Sequence, residues 1–271
     1  TSHSLLDLHL KETFRYRDLI FLFVKRDFVA YYKQTILGPA WIFLNPLISS
    51  IIYAFVFGGI AGIGTDGVPT LLFYLAGNAV WLFFSTCVVS NARTFTENAN
   101  VFGKVYFPRL TTPISNVLSS MIRFFIQMIL VLLFMIYFLV NGLVSPNWAA
   151  WVLIPLELVH LGILGMGFGI IISSMTTKYR DLTILVDFGV SLWMYLTPIV
   201  YPLSTVAEGW MKTILLCNPV TTSAELIRYA VLGKGTLEWG YYGLSWVVTL
   251  VVAVLGIMIF NKVERNFMDT V

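Results

Sequence analysis

Charge is what this chain has least of: Asp, Glu, Lys and Arg together make 11% of its 271 residues, against 58% apolar residues. At a mean hydropathy of +0.83, so few polar side chains could not cover a water-exposed surface. A soluble globular protein is excluded, and an integral membrane protein is expected. Cysteine is scarce too. Cys87 falls in an apolar segment and Cys217 in a hydrophilic one, too far apart in depth to pair, so no disulfide framework and no metal site is expected. A phosphate cradle of the form G-x-x-x-x-G-K-[ST] is also missing. The nearest string, Gly233-Lys234-Gly235-Thr236, lacks the upstream glycine and the preceding strand. No cofactor is therefore expected on this chain, and any ATP and Mg belong to a separate partner. The formal net charge of +3 reads as a topology signal rather than a nucleic-acid footprint, because the basic residues are not grouped on one soluble face.

What is present is a set of six apolar segments, roughly Ile36 to Ile60, Leu71 to Ala92, Leu110 to Val140, Ala149 to Met175, Leu182 to Tyr201 and Tyr241 to Phe260. Each is about as long as a hydrocarbon core requires. Thirteen of the seventeen Lys and Arg lie in alternate hydrophilic stretches: before Ile36, from Arg93 to Arg109, from Thr176 to Asp181 and after Phe260. The positive-inside rule then puts both termini in the cytoplasm. The first apolar segment begins too late, behind a charged stretch, and runs too long for a secretory signal, so it is expected to stay as a span. No strong polar stripe fixes the rotation of any span.

Three hydrophilic stretches carry more apolar residues than simple loops need. Over residues 1–35, Lys11, Glu12, Arg15, Asp18, Lys25, Arg26 and Lys33 fall largely on one side of a helical wheel. Phe14, Ile20, Phe21, Val24, Phe28, Tyr31 and Tyr32 fall largely on the other. This is the pattern of a helix in the membrane interface, with Arg15, Arg17, Lys25 and Arg26 near anionic headgroups. It either anchors the chain or holds a lipid-linked substrate or partner. Residues 93–109 are too polar for the bilayer yet contain Phe95, Phe102, Tyr106 and Phe107, which suits a short helix docking into a groove on another protein. A turn with aromatics dipped into the interface is the alternative. In residues 203–240, Trp210 to Cys217 and Ala224 to Leu232 are short apolar pieces joined at Asn218-Pro219. Pro219 breaks or restarts a helix there, and a hairpin dipping in from the outer face is expected beside a pathway, the alternative being an amphipathic outer loop.

Intramembrane ionisable residues are few. Arg123 lies inside the third span, where snorkelling or structural pairing accounts for it. Glu157 and His160 share a helical face, but a proton relay would need further acids and bases deeper in the membrane. Asp187 lies near the cytoplasmic Lys178, Arg180 and Asp181, so an ion pair at the boundary is expected. Aromatics make 15% of the chain, and Trp41, Tyr53, Phe57, Trp193 and Tyr195 stand mid-span. They could stack on the C–H faces of sugars, or simply pack.

Several strings, taken in order, resemble those of type-2 ABC exporter permeases that move polysaccharides, most closely the O-antigen type. They are Val24-Lys25-Arg26-Asp27-Phe28, Leu44-Asn45-Pro46-Leu47, Lys104-Val105-Tyr106-Phe107-Pro108-Arg109, Lys178-Tyr179-Arg180-Asp181-Leu182, Thr197-Pro198-Ile199-Val200-Tyr201-Pro202 and Asn218-Pro219 with Glu225 and Arg228. The resemblance implies an all-α membrane subunit of the bacterial inner membrane, with six spans, an interface helix and a re-entrant outer hairpin. It implies a homodimer with two copies of a nucleotide-binding ATPase subunit, exporting a lipid-linked polysaccharide. Carried over, Phe102, Lys104, Tyr106, Phe107 and Arg109 would couple to the ATPase. Pro198, Tyr201, Asn218 and Pro219 would form an outer gate, and the mid-span aromatics would line the channel. Capsule or teichoic-acid export, small-molecule export and a membrane glycosyl or acyl transferase are the other readings. The last would need an acid and base at one depth, for which Glu157 with His160 is the sole candidate.

Overall fold

A computed structural model describes residues 10–33, 35–102, 107–176 and 181–268. Among them the structure is helical, without strands. Helices α1 (Leu10–Arg15) and α2 (Arg17–Tyr32) precede α3 (Trp41–Tyr53), which continues as a π-helical stretch over Ala54–Ile60. Then follow α4 (Thr70–Ala92), α5 (Thr94–Phe102), α6 (Thr111–Val140), α7 (Ile154–Thr176), α8 (Leu182–Tyr195), α9 (Trp210–Cys217), α10 (Pro219–Leu232) and α11 (Trp239–Met268). Five helical segments are long and apolar enough to cross a membrane: Gly38–Ile60, Thr70–Ala92, Thr111–Val140, Trp148–Thr176 and Trp239–Val263. They coincide with five of the six expected spans. The remaining one, α8, has 14 helical residues, about 21 Å at 1.5 Å per residue, and abuts residues 177–180 outside the description.

The core is the α4–α7 pair. Hydropathy alone does not drive two helices together in lipid; close backbone approach does, and small residues permit it. Gly165 and Gly169 of α7 face Cys87, Val88 and Asn91 of α4, and a Cβ on Gly169 would lie 2.3 Å from Asn91 Cβ and 2.8 Å from the Val88 carbonyl oxygen. On the opposite side of α7, Gly167 meets Val252 of α11, and Gly256 of α11 meets the Gly167 carbonyl. The Gly165-x-x-x-Gly169 spacing was a sequence signal for this contact. Around the pair, α3, α6, α8 and α10 pack against α4.

Helix α6 shows a stripe that the sequence reading did not use. Thr112, Asn116, Ser119, Ser120, Arg123 and Gln127 recur at three- and four-residue steps and occupy about a third of the helix circumference. Across the helix, Ile122, Phe125, Ile129, Leu133 and Ile136 form the exposed apolar face. The expectation that no polar stripe fixes a span's rotation is corrected here: the stripe turns toward α2, α3 and α4, and the apolar face toward lipid.

The hairpin helices α9 and α10 meet at Asn218. Its side chain accepts from the Val220 amide at 3.1 Å and caps α10, with Pro219 in the first turn where no amide is needed. Gly233 ends α10 at φ 70°, and a Cβ there would strike the Ser145 carbonyl oxygen, so both backbone conformation and close approach require glycine.

Candidate functional site

The expected channel aromatics lie along α3 and α8. Tyr53 joins the two helices through its hydroxyl, 3.7 Å from Met194 sulfur, and its ring meets Phe57 and Tyr74 at 6.0 and 6.2 Å. Trp193 is half-buried between Phe84 and Phe168, edge-on at 5.2 Å to each, so it packs inside the chain. Tyr195 is 52% exposed and Trp41 42% exposed. Both helices also expose apolar stripes: Ile48, Ile51 and Ile52 on α3 with Phe55 on its π-helical continuation, and Ile184, Leu185, Phe188 and Leu192 on α8. Such stripes face lipid or a second copy.

At the predicted cytoplasmic end, Phe102, Phe107 and Arg109 do not face outward. They are buried in an aromatic cluster with Phe23 of α2, Phe95 of α5 and Phe260 of α11. Phe107 lies 5.7 Å from Phe23 and 5.6 Å from Phe102, Phe95 stacks on Phe260 at 4.8 Å, and the Arg109 guanidinium sits 5.5 Å over the Phe102 ring. Of the aromatic surface read as a docking face, Phe95, Phe102 and Phe107 are thus buried inside the chain and tie α5 to α2 and α11. On α5 itself Thr96 and Glu97 are exposed. Lys104 and Tyr106 lie outside the described residues, as do Lys178 and Arg180. Asp187 pairs with Arg93 at 2.6 Å, joining the start of α5 to α8. The partner expected for it was the Lys178, Arg180 and Asp181 cluster; Arg93 was missed because it follows a different span.

The four interface cations Arg15, Arg17, Lys25 and Arg26 are exposed. Helix α2 buries Ile20, Phe23 and Val24 against the body and leaves Phe21 and Leu22 exposed, as α1 leaves Phe14. Arg26 pairs with Asp27 at 2.8 Å and lies 4.7 Å over Phe23. These side chains open onto a cleft of about 340 Å³ lined by Arg26, Asp27, Glu97, Asn98, Asn116, Ser119 and Arg123. Partial desolvation at the cleft wall pushes the Glu97 carboxyl above its ordinary range; Arg93 opposes, Asp27 adds and Arg26 opposes.

The residues expected to form a gate come together around a residue whose role the sequence did not reveal. Arg228, 1% exposed, donates from Nη2 to the Ile199 carbonyl at 2.7 Å and from Nη1 to the Pro198 carbonyl. Its Nη1 also meets Glu225 Oε1 at 3.1 Å, and its guanidinium lies 3.8 Å over Phe73. Glu225 in turn accepts from the Thr236 amide at 2.8 Å. Asn218 donates to Thr197 Oγ1 at 2.9 Å and the Leu196 carbonyl at 3.1 Å, while Tyr201 donates to the Tyr195 carbonyl at 3.2 Å. The turn after α8 and the hairpin are therefore tied together. The three-residue spacing of Arg228 from Glu225 was the available sequence signal.

Glu157 and His160 also belong to a larger group. His160 Nδ1 lies 3.3 Å from Glu157 Oε2 and 3.2 Å from Ser223 Oγ, and Nε2 lies 2.8 Å from Thr249 Oγ1. An acid, a base and a hydroxyl in line resemble a nucleophilic triad. All three side chains are completely buried, so a substrate could not reach the hydroxyl, and the arrangement reads as a polar clamp joining α7, α10 and α11.

Comparison with known proteins agrees with this architecture. The family model for ABC-2 type transporters matches residues 18–232. The chain is similar to an O-antigen export system permease protein RfbA of Klebsiella pneumoniae, 27% identical over 252 residues, covering 93% of this chain and 94% of the relative. It is also similar to one of Myxococcus xanthus, 28% identical over 226 residues, covering 81% and 84%. With five membrane-length helices and a family match running from α2 to the end of α10, this chain belongs to the ABC-2 type transporter family.

Proposed function

We propose that this chain is the permease of an ATP-driven exporter that moves a lipid-linked polysaccharide of O-antigen type across a bacterial inner membrane. The observation that carries the reading is similarity over nearly the whole length of proteins named as O-antigen export permeases. Two copies would face each other through the exposed stripes of α3 and α8, with two ATPase subunits below and both termini in the cytoplasm. ATP hydrolysis belongs to the partner. In this chain, α5 acts as a lever, because the cluster of Phe23, Phe95, Phe102, Phe107 and Phe260 makes it rigid with α2 and α11. The Arg93–Asp187 pair extends that connection to α8. A push on α5 then reaches the α3–α8 face, while the Arg228 lock carries α8 movement to the hairpin and makes it a gate.

The test is complementation in a host lacking its own exporter permease, with the partner ATPase supplied. Surface polymer restored by the wild type, and abolished when the partner's ATP-binding lysine is replaced, is the expected result. ATP turnover with a small-molecule substrate and no surface polymer would overturn the polysaccharide reading. Export surviving Glu157→Gln with His160→Ala would remove the enzyme alternative.

A further inference from the structure

Three buried oxygens where α7, α10 and α11 meet have no hydrogen-bond partner among the described residues: Glu157 Oε1, Thr221 Oγ1 and Tyr242 Oη. Thr221 and Tyr242 border one cavity of about 10 Å³, whose wall also includes Thr222, Glu225 and Glu238. That is the volume of about one water-sized sphere. The Tyr242 hydroxyl also stands beside the Glu157 carboxyl without bonding to it. Buried oxygens are costly to leave unmatched, so three of them on three helices, two in one cavity wall, point to a shared ligand.

The hydrogens around His160 indicate the charge of that ligand. Thr249 donates to the Ser245 carbonyl at 2.8 Å, so it accepts from His160 Nε2, which therefore carries a hydrogen. Ser223 has His160 Nδ1, at 3.2 Å, as its partner among the described residues, and its hydroxyl hydrogen goes there. The ring is then neutral, and Glu157 Oε2, 3.3 Å from the same Nδ1, receives no hydrogen from it. This leaves a completely buried carboxylate lacking one positive charge. The cavity side chains offer hydroxyl, phenol and carboxylate oxygen with neither imidazole nor thiolate, which is the donor set of a hard cation. Magnesium keeps several waters, for which the cavity is too small. Calcium takes six to eight oxygens, whereas both oxygens of Glu225 are already engaged, by Arg228 and by the Thr236 amide. One charge and one water-sized space fit a monovalent ion. Spacing of His, Cys, Asp and Glu gave no sign of it because no three of them converge among the described residues, and the unmatched ligands are hydroxyls.

We propose that this corner is a sodium site, in which Thr221 Oγ1 and Tyr242 Oη bind the ion through their lone pairs, Glu225 and Glu238 complete its surroundings, and Glu157 supplies the countercharge by accepting the Tyr242 hydrogen on Oε1. The ion ties α10 of the hairpin to α11. The inference does not rest on the identity of the cargo or on the partner ATPase.

The test uses the full-length chain in detergent, dialysed into choline chloride with a chelator, and sodium chloride as the probe at constant total chloride. The melting temperature should rise with sodium and saturate, by about 5–10 °C at a hundredfold excess over the dissociation constant, and hydrogen exchange over α10 should slow. Thr221→Val and Tyr242→Phe each remove one oxygen and no charge. Each should abolish most of the sodium-dependent rise yet melt no lower than the wild type in choline, since the lost atom had no partner there. Glu157→Gln should lose the rise as well; if that variant does not fold, the two hydroxyl variants decide. Thr213→Val, exposed on α9, should keep it. Equal melting temperatures in sodium and choline would overturn the site, leaving water or a protonated Glu157 to match these oxygens. A rise that persists in both Thr221→Val and Tyr242→Phe would place the ion elsewhere and overturn it too. A rise with calcium or magnesium but not with sodium would overturn the charge argument and the sodium assignment with it.

Discussion

The glycine contact between α4 and α7 gives the sharpest stability prediction. A Cβ on Gly169 would lie 2.3 Å from Asn91 Cβ, 2.8 Å from the Val88 carbonyl oxygen and 3.2 Å from the Ala92 amide nitrogen. Two of these atoms are backbone, so no rotamer change can clear them, and α4 and α7 must separate by about 1 Å to reach ordinary contact. Overpacking of this kind costs about 1–3 kcal/mol. Gly243 of α11 is the matched control, since nothing lies within 4 Å of its Cβ position. Both Gly→Ala changes gain the same helix-propensity term, about 0.5–1 kcal/mol. The difference between Gly169→Ala and Gly243→Ala therefore isolates the steric term, and thermal unfolding in detergent should separate the two variants by several degrees. Equal melting temperatures for the two variants would show that α4 and α7 are not in backbone contact, and the account of the core would fall with them.

Three other outcomes follow from the clusters around that core. Arg228→Met leaves Glu225 buried without its cation, for a cost of about 3–5 kcal/mol, and frees the Pro198 and Ile199 carbonyls. Hydrogen exchange over residues 196–202 should accelerate, and unchanged protection would refute the lock. A double-mutant cycle on Arg93→Ala and Asp187→Ala should give a coupling energy of only about 0.2–1 kcal/mol in stability, because both side chains are partly exposed. Export should fall more than that figure implies; export unaffected by either change would remove the pair from the coupling route. Glu97 has its folded-state pKa raised, so its contribution to stability is complete below the ordinary value of 4.5 and is lost as pH rises through the folded value. Glu97→Gln should flatten the stability profile in that acid range, and an identical slope in the variant would refute the burial.

The membrane class and five of the spans were legible because hydropathy averages over twenty residues, and a long apolar run has few other uses. The break between α9 and α10 was legible at Asn218-Pro219, where a cap and a proline act locally. What averaging hid was direction. Thr, Ser and Asn are close to neutral in hydropathy, so the α6 stripe scarcely lowers the mean of its span, and only reading it at helical spacing shows that every polar residue from Thr112 to Gln127 shares one side. The Gly165 and Gly169 contact was hidden for a related reason: glycine counts as weakly apolar, while its physical contribution is the space it leaves.

The aromatics failed differently, and the failure bears on mechanism. Phe102 and Phe107 sit in a hydrophilic stretch, and sequence can say that such residues need covering without saying by what. The structure covers them with Phe23, Phe95 and Phe260, residues from three separate helices. A docking face would have made α5 an adaptor that could release from its partner without disturbing the spans. A buried cluster makes it instead a fixed extension of α2 and α11, so that force applied at Thr96 and Glu97 cannot be absorbed locally. The same contrast runs through the rest of the chain, for α4 and α7 are tightly covered, whereas α3 and α8 present their apolar sides outward. On the proposed mechanism, displacement entering through α5 would meet a stiff pair that transmits it, and emerge at α3 and α8, whose apolar sides are exposed within the chain. The surface that the proposed mechanism needs to yield is then the α3–α8 face, where Ile48, Ile51, Ile184 and Leu185 are exposed.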